Sequence, residues 1–151
     1  MQLRSAVLAL GWFGLSGAVF GGAWGVGAFE NDSALDWAYK LERSSSLQIL
    51  VETFAEVQMQ GYLEMESCSH AIAAAEVVAS MRTADFGHLP DGVNVWAEER
   101  SDEVTLQLVE KARTAVAVCH DDSRSEIAQL WSESESEEWR ASLNRLIERL
   151  R

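Results

Sequence analysis

The sequence predicts an all-α protein, a compact bundle of about six amphipathic helices behind an N-terminal apolar leader, and three observations carry that prediction. Alanine, leucine and glutamate are abundant, runs of more than two β-branched residues are missing, and Pro90 is the single proline. Apolar residues recur at three- and four-residue spacing along most of the chain. Capping-box patterns, a Ser followed three residues later by Asp, Glu or Gln, precede several of those stripes. A chain of 151 residues with 48% hydrophobic content can bury one core without a metal or a disulfide.

The leader comes first. Arg4 is the only charged side chain before an uncharged, largely apolar run from Ala6 to Phe20, which is the layout of a secretory signal peptide over residues 1–21. That run is about 15 residues, shorter than the roughly 20 of a spanning helix, so a cleaved leader is expected rather than an anchor. Small residues place cleavage after Ala18, Gly21 or Ala23. The mature protein would then be periplasmic or extracellular, with no stable membrane span; a spurious leader added by a mis-assigned start would leave it cytoplasmic. Residues 22–151 are expected to form a single domain.

The glycine-rich opening, Gly22 to Glu30, reads as a structural plug: Gly25 and Gly27 permit unusual backbone angles while Trp24 and Phe29 fold back on the bundle. A helix follows over Ser33 to Glu42 with Ala34, Trp37, Ala38 and Leu41 on one face. Asp32 or Ser33 is expected to cap it, Ser33 with Asp36 having capping-box spacing. Ser45 and Gln48 repeat the pattern before a stripe of Leu47, Leu50, Val51, Phe54 and Ala55, which Gly61 stops. Tyr62 to Met81 reads as the central helix, its small residues, Ala71, Ala74, Ala75 and Ala79, letting another helix approach closely. Residues 82–92 read as loop, with Gly87, Pro90 and Asp91-Gly92 as punctuation. A short helix is expected over Val93 to Glu99. Ser101 is expected to cap a long helix carrying Leu108, Val109, Ala112, Val116 and Cys119. Ser123 and Glu126 give another capping box before Ile127, Leu130 and Trp131. The acidic run Ser132 to Glu138 reads as a helix junction, and the last helix, Ser136 to Leu150, aligns Trp139, Leu143, Leu146, Ile147 and Leu150. Arg145, Arg149 and Arg151 near its carboxyl end suit the helix dipole.

The stretch Gly22-Ala-Trp-Gly-Val-Gly-Ala-Phe-Glu-Asn-Asp-Ser-Ala-Leu-Asp-Trp37 resembles the opening of the bacterial family known as domain of unknown function 4259. The resemblance continues in Tyr62-Leu63-Glu64, in Ala71 to Ala79 with Glu76 inside it, in Trp131 and in Glu138-Trp139-Arg140, so it covers about residues 22 to 151. It implies domain limits and a structural motif of Trp24, Gly25, Gly27, Phe29, Asn31, Asp32, Asp36 and Trp37. It implies no activity. The leader departs from the family pattern, whose members begin at the motif.

The net charge of −12 argues against binding a nucleic-acid backbone or an anionic membrane and favours a basic protein partner or simple solubility. Catalytic motifs are missing: no Gly-x-Ser-x-Gly elbow is present, and the adjacency of Cys119, His120 and Asp121 on a helix points them in different directions. His70, His88 and His120 are the only candidate imidazole bases. A phosphate loop at the glycines is disfavoured, since no strand precedes them, no P-loop lysine follows, and Glu30, Asp32 and Asp36 would repel the anion. Cys68 and Cys119 fit either a disulfide between two helices or two small buried hydrophobes. The leading expectation is a non-enzymatic binding module for a protein partner, without a cofactor. Acidic immunity-type proteins that neutralise a basic toxin offer an analogy. The alternative is a metal-binding domain or metal-dependent hydrolase in which Asp32, Asp36, Glu64 and His70 hold the ion.

Overall fold

A computed structural model describes residues 25–134 and 136–151. The leader over 1–21, its three cleavage positions and Trp24 lie outside the described residues. Among the described residues seven α-helices follow one another: α1 (Asp32–Glu42), α2 (Gln48–Met59), α3 (Met65–Thr83), α4 (Asp91–Glu99), α5 (Leu106–Cys119), α6 (Glu126–Glu133) and α7 (Glu137–Arg149), with a 3-10 turn at Ser101–Glu103 before α5. No helix among the described residues is long and apolar enough to cross a membrane.

The helices start where a side chain or a neighbouring segment satisfies free amides, and this moves several starts from their expected places. Asn31, in extended conformation, caps α1 by accepting from the Ala34 amide at 2.8 Å, so neither Asp32 nor Ser33 is the cap. Asp32 already lies in the first helical turn, where its charge suits the dipole. Leu47 precedes α2 with no side-chain cap; Ser46, not Ser45, accepts from the Gln48 amide at 3.3 Å. Thr105 caps α5, because Ser101 heads the separate 3-10 turn. Ser125, not Ser123, caps α6.

The helix α3 begins at Met65 rather than Tyr62 because the preceding residues are used for pairing. Leu63 forms an isolated parallel bridge with Ser125: its amide donates to the Arg124 carbonyl at 2.7 Å and its carbonyl accepts from Glu126 at 2.9 Å. The Glu126 carboxylate then accepts from the Met65 amide at 2.7 Å, so a residue of α6 caps α3. Arg124 donates to the carbonyls of Gln60 and Gly61, completing the stitch.

Around this start the bundle is organised by α3, which packs against all six other helices. It is buried on nearly every side, from Ser67 and Cys68 through Ala71, Ile72 and Ala75 to Met81. An amphipathic stripe is accordingly missing there, since a helix surrounded by protein has no solvent face to mark. The alanines bring its neighbours close. At its amino end Cys68 is joined to Cys119, the last residue of α5, with Cα atoms 5.5 Å apart.

Candidate functional site

Two features outside the core combine shape with chemistry. The first lies under the opening strap, residues 25–30. The Glu30 amide donates to the Gly27 carbonyl at 3.1 Å, and the Gly27 amide donates back to the Glu30 carboxylate at 2.7 Å. A methyl group on Gly25 would sit 2.4 Å from that carboxylate and one on Gly27 2.8 Å from it. The glycines are there because a carboxylate of the chain itself occupies their face. Val26, Ala28 and Phe29 pack on the core, and the Ser142 hydroxyl of α7 reaches the Val26 carbonyl at 3.3 Å.

Between strap, α3 and α7 is a cavity of about 370 Å³. One end carries an ionic cluster: Glu76 Oε1 is 2.6 Å from His88 Nε2 and also pairs with the Arg149 guanidinium. Arg149 Nη2 donates to the fully buried Ser80 hydroxyl at 3.2 Å and stands 2.9 Å from His88 Nε2. A single ring nitrogen offers either one proton or one lone pair, so His88 either donates to Glu76 or accepts from Arg149. The rest of the wall is largely apolar, including Phe29, Ile72 and Leu146, with Arg145 at the rim. Segments that carry the family resemblance, the strap and Glu76, therefore meet on one cavity.

The second feature is an open groove of about 620 Å³ between α1, α2 and α3. Glu52, Glu56, Glu64 and Glu66 line it, against one cation, Lys40. Its apolar floor is Trp37 and Ile49, and Trp37 is fixed by donating from Nε1 to Thr53 Oγ1 at 2.9 Å. Ser67 donates to Glu56 at 3.1 Å, orienting that carboxylate. Burial pushes the His70 imidazole below its ordinary pKa, with Lys40 adding to the effect and Glu66, 3.8 Å away, opposing it.

Of the metal candidates, Glu64 and His70 line this groove, whereas Asp32 and Asp36 are exposed on α1 outside it. Among the described residues no three His, Cys, Asp or Glu side chains gather closely enough to hold an ion, so the four do not converge as the alternative required. The Cys119, His120, Asp121 run is not a catalytic group. Cys119 is in the disulfide, His120 stacks on Trp139 with centroids 6.2 Å apart, and Asp121 bonds Ser123. Sequence reasoning named His88 only as a possible base and Arg149 only as a dipole partner. Their meeting with Glu76 joins residues 12 and 73 positions apart, for which no local spacing exists as a signal.

His120 has its Nε2 buried without a hydrogen-bond partner among the described residues, and burial, aided by Arg140, lowers its pKa. His70 is lowered for the same leading reason. An imidazole whose folded pKa lies below its unfolded value near 6.5 binds fewer protons when folded, so stability is lost as pH falls through that unfolded value and below. Thermal unfolding is therefore expected to show a falling midpoint between about pH 7.5 and 5. His120→Phe, which keeps a ring against Trp139, is expected to flatten that fall. Asp121 is lowered mainly by its bonds from Ser123, and Asp122 by a backbone hydrogen bond and then Arg140. Those carboxylates act only at pH near and below 3.8, outside this window.

No curated protein and no solved structure matches the chain. A family model does, the one described as "Domain of unknown function (DUF4259)", over residues 22–142. That span takes in the strap, the whole lining of the acidic groove and the first half of α7 but stops short of Arg145 and Arg149, and on it the chain belongs to the DUF4259 family.

Proposed function

We propose that this protein is a non-enzymatic binding module that receives a basic segment of a protein partner in the groove between α1, α2 and α3. The observation that carries this reading is the lining of that groove: four glutamates facing one lysine over a tryptophan and isoleucine floor. Carboxylates so placed steer a Lys- or Arg-rich segment by long-range attraction, while the apolar floor takes the aliphatic stems of those side chains. The net charge of −12 works in the same direction. The Cys68–Cys119 bond supports action outside the cytoplasm, where disulfides persist, in keeping with removal of the leader over 1–21. A metal-dependent reading has less support, with only two of its four residues in the groove.

Titration with an arginine-rich peptide, followed by calorimetry at 25 mM and 500 mM salt, tests the proposal. Binding is expected to weaken by about tenfold or more at the higher salt, and again in a variant with Glu52, Glu56, Glu64 and Glu66 all replaced by glutamine. The thermal midpoint reports that the variant is folded. Affinity indifferent to both salt and the four replacements would sink the groove as the binding surface.

A further inference from the structure

From the cavity beneath the strap we infer a second binding site, for a small organic acid with an apolar body. The cavity of about 370 Å³ is within the range of small-molecule sites and has their usual build, apolar walls with a few convergent polar groups. Its sign preference follows from which charges are already committed. Glu30 is held on the Gly27 amide, and Glu76 is held between His88 and Arg149. Among the described residues the Arg145 guanidinium forms no ion pair, although it lines the same cavity. A ligand carboxylate placed on Arg145 gains a charge-assisted, bidentate contact without displacing an existing one. A ligand ammonium at that place would face the guanidinium, and the two carboxylates of the lining, Glu30 and Glu76, are already held by other groups. The apolar body then lies against Phe29, Ile72 and Leu146, and a donor group on it can reach the Glu76 and His88 end.

A second, much smaller space adjoins the same region. The Ser69 hydroxyl of α3, 1% exposed, has no hydrogen-bond partner among the described residues. It faces an inner cavity of only about 10 Å³ that shares Val26, Gly27, Ala28 and Ile72 with the larger one as walls. Buried hydroxyls are ordinarily paired, and a space of that size beside one has room for a single water at most, so Ser69 marks the inner wall of the region and is not itself a ligand contact. Because Val26 to Glu30 wall the larger cavity, the strap acts as the cover of a site as well as a plug, anchored to α7 through Ser142 and Val26.

Full-length chain labelled with nitrogen-15 and titrated with phenylacetate, phenethylamine and benzyl alcohol tests this by amide shift changes. Phenylacetate is expected to shift residues 26–30 and the Arg145 turn of α7, and to bind about tenfold or more tighter than the amine or the alcohol. Arg145→Gln is expected to remove that preference. Arg145 is exposed, so its replacement leaves the fold intact, which an unchanged thermal midpoint verifies. Ala28→Leu, which fills the cavity from the strap, is expected to abolish binding of all three. Equal affinity for the acid and the amine, shifts located elsewhere, or an Arg145→Gln variant that binds phenylacetate as before would each overturn the assignment. The glutamine variant of the acidic groove keeps phenylacetate binding, so failure of one site is distinguishable from failure of the other.

Discussion

Replacing Cys68 and Cys119 together by alanine is expected to lower the stability of the folded state by about 4 kcal/mol. The bridge closes a loop with a sequence separation of 51 residues, and the chain-entropy treatment of such a loop gives about that figure at room temperature. Domains of this size are stable by only about 5–15 kcal/mol, so the loss is a large share of the total. Both sulfurs are fully buried, and the cavities left by alanine add to the cost rather than offset it. Urea unfolding of the oxidised protein and the double variant, each fitted for midpoint and slope, measures the difference. A loss under about 1 kcal/mol would mean that the bridge hardly restricts the unfolded chain.

Trp37→Ala is expected to cost about 3–5 kcal/mol, the usual range for emptying an aromatic site in a core. Trp37 is 3% exposed, and its ring joins α1 to α2 through Thr53, whose own hydroxyl donates to the Ile49 carbonyl at 2.7 Å. Trp37→Phe separates the two contributions, since it keeps most of the apolar body and drops the indole hydrogen bond. It is expected to cost about 1 kcal/mol, rising if the Thr53 oxygen finds no water. A Trp37→Ala loss no larger than that of Trp37→Phe would show that the ring is dispensable packing and that the hydrogen bond alone matters. The groove floor would also change in Trp37→Ala, so peptide affinity and stability should fall together.

Helix positions were legible because amphipathic faces write a period into the sequence: Trp37 with Leu41, Leu50 with Phe54, Leu143 with Leu146 all lie on the core side. Their first residues were less so. Asn31, Asp32 and Ser33 are all competent caps, and the choice among them rests on which one is extended, a backbone property no single residue type dictates. Ser101 looked like the start of α5 because a 3-10 turn carries similar residue types. The start of α3 was hidden for a stronger reason: its cap, Glu126, comes from 61 positions away. The cavity site was hidden in the same way. Glu76, His88 and Arg149 meet only through the packing of α7 on α3, whereas of the groove glutamates Glu52 and Glu56 share a face of α2 by helical spacing, and their joining with Glu64 and Glu66 was out of reach.

The stitch between Leu63 and Ser125 has a bearing on how the chain comes apart. Backbone groups of the link before α3 are satisfied by the link before α6, and the amide at the start of α3 depends on a carboxylate in α6. Peeling the carboxyl-terminal third away would strand donors and acceptors at the head of the most deeply enclosed helix. Fraying from that end is thus tied to the opening of the centre, and amides of α3 and α6 should exchange with solvent as one cooperative unit.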